Sequence, residues 1–309
     1  MGGDLYAAVK WTRQAVCMSI FVVAAVHGTG SMQAGNSSGI VTQETLVWSD
    51  EFSGTAAQSA PNPANWTYDT GGRGWGNNEL EVYCAYGSHT APCDSKSPNA
   101  YVGNDGYLHI VARQPSPGVY TSARLKSEGL QSFQYGRIEA RIRMPRGQGF
   151  WPAFWMLGDD IRKVEWPACG EIDIMESVGS KPSTNYGSIH GKGFTGTKIG
   201  TAYDLPNGAK FADAFHTFGI VWSPKLIKFY VDNPANVYAT YTPSSLPKGG
   251  VWPFDARKFF FILNVAVGGS WPGSPDASSV FPQEMLVDYV RVYAEPGASL
   301  SSVRAAIKH

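Results

Sequence analysis

A chain of 309 residues has room for one large all-β domain or two smaller ones. Its 25 basic side chains balance 25 acidic ones, which gives no electrostatic basis for capturing nucleic acid or an anionic membrane. Only 16% of residues are charged while 13% are aromatic, against a usual charged share of about 25%. Rings in such number suit both a packed sandwich core and a surface that stacks on sugars.

At the N-terminus, Lys10 and Arg13 flank an apolar run over residues 15–26, which is too short to cross a bilayer comfortably. Residues 1–34 therefore read as a signal peptide, with small residues from Ala24 to Ala34 offering several cleavage points; an uncleaved anchor is the alternative. Export makes a disulfide the natural reading of Cys84 and Cys93, which bracket a short loop. Zinc is a weaker reading, because His89 is the only further ligand nearby. Cys17 falls within the discarded peptide, and Cys169 reads as a buried free thiol.

The folded part opens with a strand over residues 45–52, broken off by Pro61 and Pro63. Residues 71–83 put glycines and asparagines ahead of a short strand, the composition of a loop with unusual backbone angles. Residues 101–112 read as a hairpin turning at Asn104-Asp105-Gly106, and a second hairpin turns over residues 115–118. From Tyr135 the alternation is regular, with Arg137, Glu139, Arg141 and Arg143 on one face and Ile138, Ala140, Ile142 and Met144 on the other. In residues 150–157 it places Trp151, Ala153, Trp155 and Leu157 together. Further strands are expected over residues 186–190, 217–222, 226–231, 258–267 and 285–293, and a helix signal appears only at residues 209–215. Strands without alternating helices argue for an antiparallel sandwich in a single domain over residues 35–296, followed by a loose tail over residues 297–309.

One strand carries the chemistry. In Gly170-Glu-Ile-Asp-Ile-Met-Glu-Ser177, alternation puts Glu171 and Asp173 on one face and both isoleucines on the other, with Glu176 out of phase by one residue. A β-bulge at Ile174-Met175 would return Glu176 to the face of Glu171 and Asp173. A half-buried strand with a solvated acidic face is the plain alternative, but crowded like charges repel with no structural gain. Glycoside hydrolysis, by contrast, needs two carboxyl groups in different protonation states.

The run Glu171-x-Asp173-x-x-Glu176, preceded by Trp166-Pro167 and Gly170, resembles the active-site signature of glycoside hydrolase family 16 in its bulged, laminarinase-like form. Residues 120–128, 133–141, 151–158 and 268–273 resemble further blocks of that family, so the similarity covers residues 46–293. Residues 74–81 are similar to a GWGNNELQ segment, with Glu81 in place of the usual Gln. The resemblance implies a concanavalin A-like β-jelly-roll of two antiparallel sheets, with Glu171 as nucleophile, Glu176 as general acid/base and Asp173 as helper. It implies a secreted or periplasmic, retaining endo-β-1,3-glucanase acting on laminarin-type or fungal-wall β-glucan, monomeric and free of membrane after signal cleavage. Mixed-linkage glucan, agar or carrageenan activity, transglycosylation, and a non-catalytic glycan-binding sandwich are the alternatives.

For sugar contacts, Trp151, Trp155, Trp166 and Trp271 are candidate stacking platforms, and Asn78, Arg124 and His190 candidate hydrogen-bonding groups. A lone Trp in a β protein can equally be core, and Arg124 a structural ion pair. No cofactor is expected for catalysis. Asp288 is expected to share a face with Leu286, Val290 and Val292, and a buried charge needs a partner. Similar enzymes use the matching Asp for a structural calcium, here with backbone carbonyls of Glu51 and Gly106; a salt bridge to an arginine is the alternative.

Overall fold

The computed structural model describes residues 44–196 and 199–294; the expected signal peptide and tail lie outside the described residues. Two sheets face each other. The seven-stranded sheet runs β12 (Gly200–Asp204), β11 (Thr184–His190), β10 (Glu171–Glu176), β9 (Phe150–Gly158), β16 (Phe259–Val267), β7 (Arg124–Lys126) and β2 (Thr67–Asp69). The ten-stranded sheet runs β15 (Val237–Tyr241), β14 (Leu226–Val231), β13 (His216–Ser223), β8 (Gly136–Arg143), β17 (Gln283–Tyr293), β5 (Leu108–Ser116), β6 (Val119–Ser122) and β3 (Glu81–Tyr83), with β1 (Leu46–Asp50) on β17 and β4 (Ala100–Val102) on β5. Among the described strands the pairings are antiparallel apart from β3 with β6, so the architecture is the expected β-jelly-roll sandwich.

Period-two alternation explains how the sheets meet. Ile138, Ala140 and Ile142 of β8 are buried, and so are Ile172 of β10, Phe154 and Met156 of β9, and Phe259, Phe261, Leu263, Val265 and Val267 of β16. Each large apolar side chain removed from water contributes about 1.5–3 kcal/mol. Aromatic contacts fill the layer between the sheets: Trp222 meets Phe259 edge-on at 5.4 Å, and Trp48 stacks on Phe261 at 5.7 Å. All nine residues of β16 are buried, because its other face lies under Trp155, Leu157 and Cys169.

Cys84 and Cys93 form the expected disulfide, and Cys169 is free and buried. Residues 209–215 are turns rather than a helix. Phe211 anchors that segment, fully buried against Phe218, and this tertiary contact overrides a weak helical preference.

The calcium expectation meets a different arrangement. The register of β17 on β8 slips between Val287 and Tyr289, leaving Asp288 as the extra residue instead of a member of the buried row with Val290 and Val292. It is half-exposed, and its Oδ2 lies 2.5 Å from Arg141 Nη1. The carboxylate of Glu51 is likewise taken by Arg291, at 2.9 and 2.8 Å, while Gly106 (φ 82°) forms the β4–β5 turn. The charge of Asp288 is thus met by Arg141, the salt-bridge alternative.

Candidate active site

Strand β10 shows the expected irregularity. Against β9, Glu171 pairs with Leu157, Asp173 with Trp155 and Glu176 with Ala153, so two residues of β10, Ile174 and Met175, oppose the single Phe154 of β9 between Asp173 and Glu176. Paired residues in an antiparallel ladder share a face. The bulge therefore brings all three carboxyls to the side of Trp151, Ala153 and Trp155, turned away from the sandwich core. On the other flank the same three residues pair with His190, Ser188 and Tyr186 of β11.

The two outer carboxyls each accept an indole hydrogen bond. Trp166 Nε1–H donates to Glu171 Oε2 at 2.7 Å, and Trp151 Nε1–H donates to Glu176 Oε1 at 3.0 Å. Asp173 lies between them, 2% exposed. His190 Nε2 stands 2.9 Å from Asp173 Oδ2 and 3.9 Å from Glu171 Oε1. The Nδ1 of His190 and the Oδ2 of Asp173 are both buried without a hydrogen-bond partner, so the 2.9 Å approach of the two side chains is an ion-pair contact.

Electrostatics then separate the three acids. Burial is the largest cause for each, and it disfavours the charged form. Glu171 is pushed up to about 8 by burial and by Asp173, with relief from His190 and Trp166. Asp173 is pushed up to about 7 by burial, against a hydrogen bond with Glu171 that lowers it. Glu176 is held well above the usual carboxylate range by burial and by both neighbouring acids. All three acids are thus held above the usual carboxylate range, and Glu176 at one end of the row feels both neighbouring acids. One flank of the row can offer a nucleophilic carboxylate while the other can donate a proton.

The remaining candidates divide. Trp166 and Trp271 are 50% and 42% exposed, which leaves ring surface free for a sugar. Trp271 packs edge-on against both Trp151 and Tyr186, at 5.1 Å in each case. Trp155 is not a free platform: Arg124 lies 4.7 Å over its ring, and its Nε1–H donates to Asn264 Oδ1 at 2.8 Å. Arg124 takes the ion-pair alternative, 3.1 Å from Asp69 Oδ2, and also lies 5.1 Å over Trp75. Asn78 bonds across to Ser270 Oγ at 2.8 Å, joining two loops. His190 has Asp173 as its partner.

The sequence reading did not single out Tyr186, Asn264 or Trp75. Tyr186 could have been found by pairing residues 186–190 with the catalytic strand, because the residue opposite Glu176 faces the same groove. The partners of Asn264 depend on the approach of β16 to β3, for which no local signal exists.

Buried, indole-bonded acids in a row on the outward face of a jelly-roll sheet define a glycoside hydrolase. The chain belongs to glycosyl hydrolases family 16, whose model matches residues 88–291. It is 41% identical over 260 residues to the Beta-glucanase of Rhodothermus marinus, covering 80% of this chain and 84% of that one. It is 36% identical over 274 residues to Glucan endo-1,3-beta-glucosidase A1 of Niallia circulans, covering 81% of this chain and 38% of that protein's length. Among solved structures, the endo-beta-1,3-glucanase of Pyrococcus furiosus superposes with a TM-score of 0.72 at 46% identity, over 82% of this chain and 95% of that one.

Proposed function

We propose that this chain is a secreted endo-β-1,3-glucanase that hydrolyses laminarin-type or fungal-wall β-glucan with retention of configuration. The bulge in β10 carries the reading, because it gathers Glu171, Asp173 and Glu176 on one face with a differently polarised environment for each. In this mechanism Glu176 gives its proton to the departing glycosidic oxygen while the Glu171 carboxylate attacks the anomeric carbon. Glu176, now ionised, takes a proton from water, which displaces Glu171 and restores the starting configuration. Asp173, with His190 beside it, adjusts the proton affinity of both. Trp166 and Trp271 provide the stacking surfaces along the groove.

The names of the Rhodothermus, Niallia and Pyrococcus relatives support the glucan substrate, and the Cys84–Cys93 disulfide supports an oxidising compartment. Export through a signal peptide over residues 1–34, a catalytic domain over residues 35–296, a tail beyond it and a monomeric state belong to the same proposal. The experiment is laminarin digestion followed by proton NMR from the first minutes. β-Configured reducing ends are expected before mutarotation. Initial α-anomers would remove the retaining assignment, and no release of reducing ends would remove the glucanase assignment. A panel including mixed-linkage glucan, agar and carrageenan separates the alternatives.

A further inference from the structure

Strand β3 brings a carboxyl into the interior that the reaction does not use. Glu81 is 1% exposed, at the foot of the glycine-rich loop over residues 71–80. Its Oε2 accepts the Val267 N–H at 2.7 Å, and its Oε1 is buried without a hydrogen-bond partner. Val267 ends β16, and the next residues form the loop that carries Trp271 into the groove.

Several contacts close the same joint. Leu80 N–H donates to Val267 O at 2.8 Å, Ser270 N–H to Asn77 O at 2.7 Å, and Asn78 Nδ2–H to Ser270 Oγ at 2.8 Å. Below them Tyr83 Oη–H donates to Glu79 Oε2, and Asn264 Nδ2–H donates to Tyr83 Oη, both at 3.1 Å. Asn264 is also the acceptor for Trp155. There is no slack between the two loops: a Cβ added to Gly268, at φ 69°, would lie 2.5 Å from Leu80 Cδ1.

Charge at this joint is unbalanced. Facing Glu81 are Glu79, itself 9% exposed, Tyr83 from its own strand, and Tyr120, its partner in register on β6. Arg124 of β7 lies close enough to act on Tyr83, but it is paired with Asp69. Burial, and then Glu79, push Glu81 up to about 9. The shift favours the neutral acid, which can accept from Val267 and donate towards Glu79. An amide has the same two capacities, which accounts for the resemblance of this segment to one carrying Gln at the position.

We propose that Glu81 is a positioning residue for substrate binding: through Val267 it locks the 71–80 loop to the 268–273 loop and thereby fixes Trp271 in the groove. The inference rests on the glucanase reading above. Ionisation of Glu81 would place an uncompensated charge in this buried joint and loosen it, so wild-type KM for laminarin should rise above about pH 8 to 9.

The test compares wild type, Glu81→Gln and Glu81→Ala by kinetics on laminarin and by melting from about pH 5 to pH 10, a range spanning the ordinary and the raised carboxyl pKa. Glu81→Ala should raise KM about tenfold with kcat changed by less than about twofold, the pattern of lost binding geometry. Glu81→Gln should keep the wild-type KM at neutral pH and lose its alkaline rise. The melting comparison needs no substrate: an acid held protonated in the fold costs stability progressively between its unfolded and folded pKa. Glu81→Gln should therefore gain on wild type from about pH 5 to about pH 9. Parallel melting curves, an unchanged KM in a folded Glu81→Ala, or an alkaline KM rise surviving in Glu81→Gln would overturn the proposal. If Glu81→Ala does not fold, the Gln variant decides. Absence of wild-type turnover would instead overturn the glucanase reading, leaving the melting comparison to judge the state of Glu81.

Discussion

Trp166 and Glu171 are joined by a 2.7 Å hydrogen bond from indole nitrogen to carboxylate, although Trp166 is 50% exposed. A ring available to stack on sugar thus also favours the ionised form of Glu171. In Trp166→Phe the aromatic face remains and the donor is lost. The Glu171 pKa should rise, moving the acid limb of kcat/KM to higher pH and lowering activity below neutrality by roughly tenfold, as for loss of a hydrogen bond to a charged group. A pH–rate profile showing lower activity with an unmoved acid limb would leave Trp166 as a stacking platform alone.

Removing Glu171, the proposed nucleophile, should spare the fold. Glu171 faces the groove from a strand whose core side is carried by Ile172 and Ile174, so Glu171→Ala should melt within a few degrees of wild type. Removal of a carboxyl buried and crowded against Asp173 favours a small gain. Turnover of laminarin should vanish. Azide or formate should partly restore turnover of an activated aryl glycoside, by entering the vacated space and attacking the anomeric carbon. The rescued azide product should have inverted configuration; rescue with retention would place the nucleophile elsewhere.

Much of this site was legible because a strand's side-chain period is two and Glu171, Asp173 and Glu176 break it by one, which requires a bulge if all three share a groove. The same rule misplaced Asp288, because nothing in residues 285–293 marks the slip between Val287 and Tyr289. The indoles show another limit. Sequence shows that Trp151 and Trp166 can stack or donate, but which they do depends on whether an acceptor stands within 3 Å, and the structure supplies Glu176 and Glu171. For Trp155 and Arg124 it supplies each to the other. Strand β12 shows a related limit. Gly200–Asp204 has little β-branched character and is held at the sheet edge by β11, which is tertiary context rather than propensity.

Reduction of the Cys84–Cys93 disulfide frees a loop closed over a sequence separation of 9. Loop-closure entropy for a ring of that size corresponds to about 2.5 kcal/mol, so dithiothreitol should lower the melting temperature by several degrees without changing kcat at temperatures well below the transition. The paired serine variant Cys84→Ser/Cys93→Ser should match the reduced protein and no longer respond to reductant. Cys169 is buried, and its thiol is pushed up to about 11, mainly by burial. It should remain unlabelled by iodoacetamide in the native state, and labelling at a rate typical of an exposed thiol would contradict its burial.

The proton carried by Glu176 gives the most discriminating test. Because burial and two neighbouring acids hold it well above the usual range, beside a Glu171–Asp173 pair that is also raised, activity should follow a bell. Its acid limb should lie above the about 4.3 of an ordinary glutamate, and its apparent values belong to the cluster, not to single residues. Glu176→Gln keeps the shape of the side chain and its contact with Trp151 but has no proton to give. Laminarin, whose leaving group is a sugar hydroxyl, should lose at least about a hundredfold in rate, the usual contribution of a positioned acid. An aryl glycoside with a good leaving group needs little protonation as it departs, so its first step should survive as a burst of released phenol. Glycosyl-enzyme should then accumulate, because no base remains to activate water, and its mass should be visible on the intact protein. Asp173→Asn should behave differently, shifting the limbs of the bell while leaving residual activity on both substrates. An equal loss by Glu176→Gln on laminarin and on the aryl glycoside would take the acid role away from Glu176.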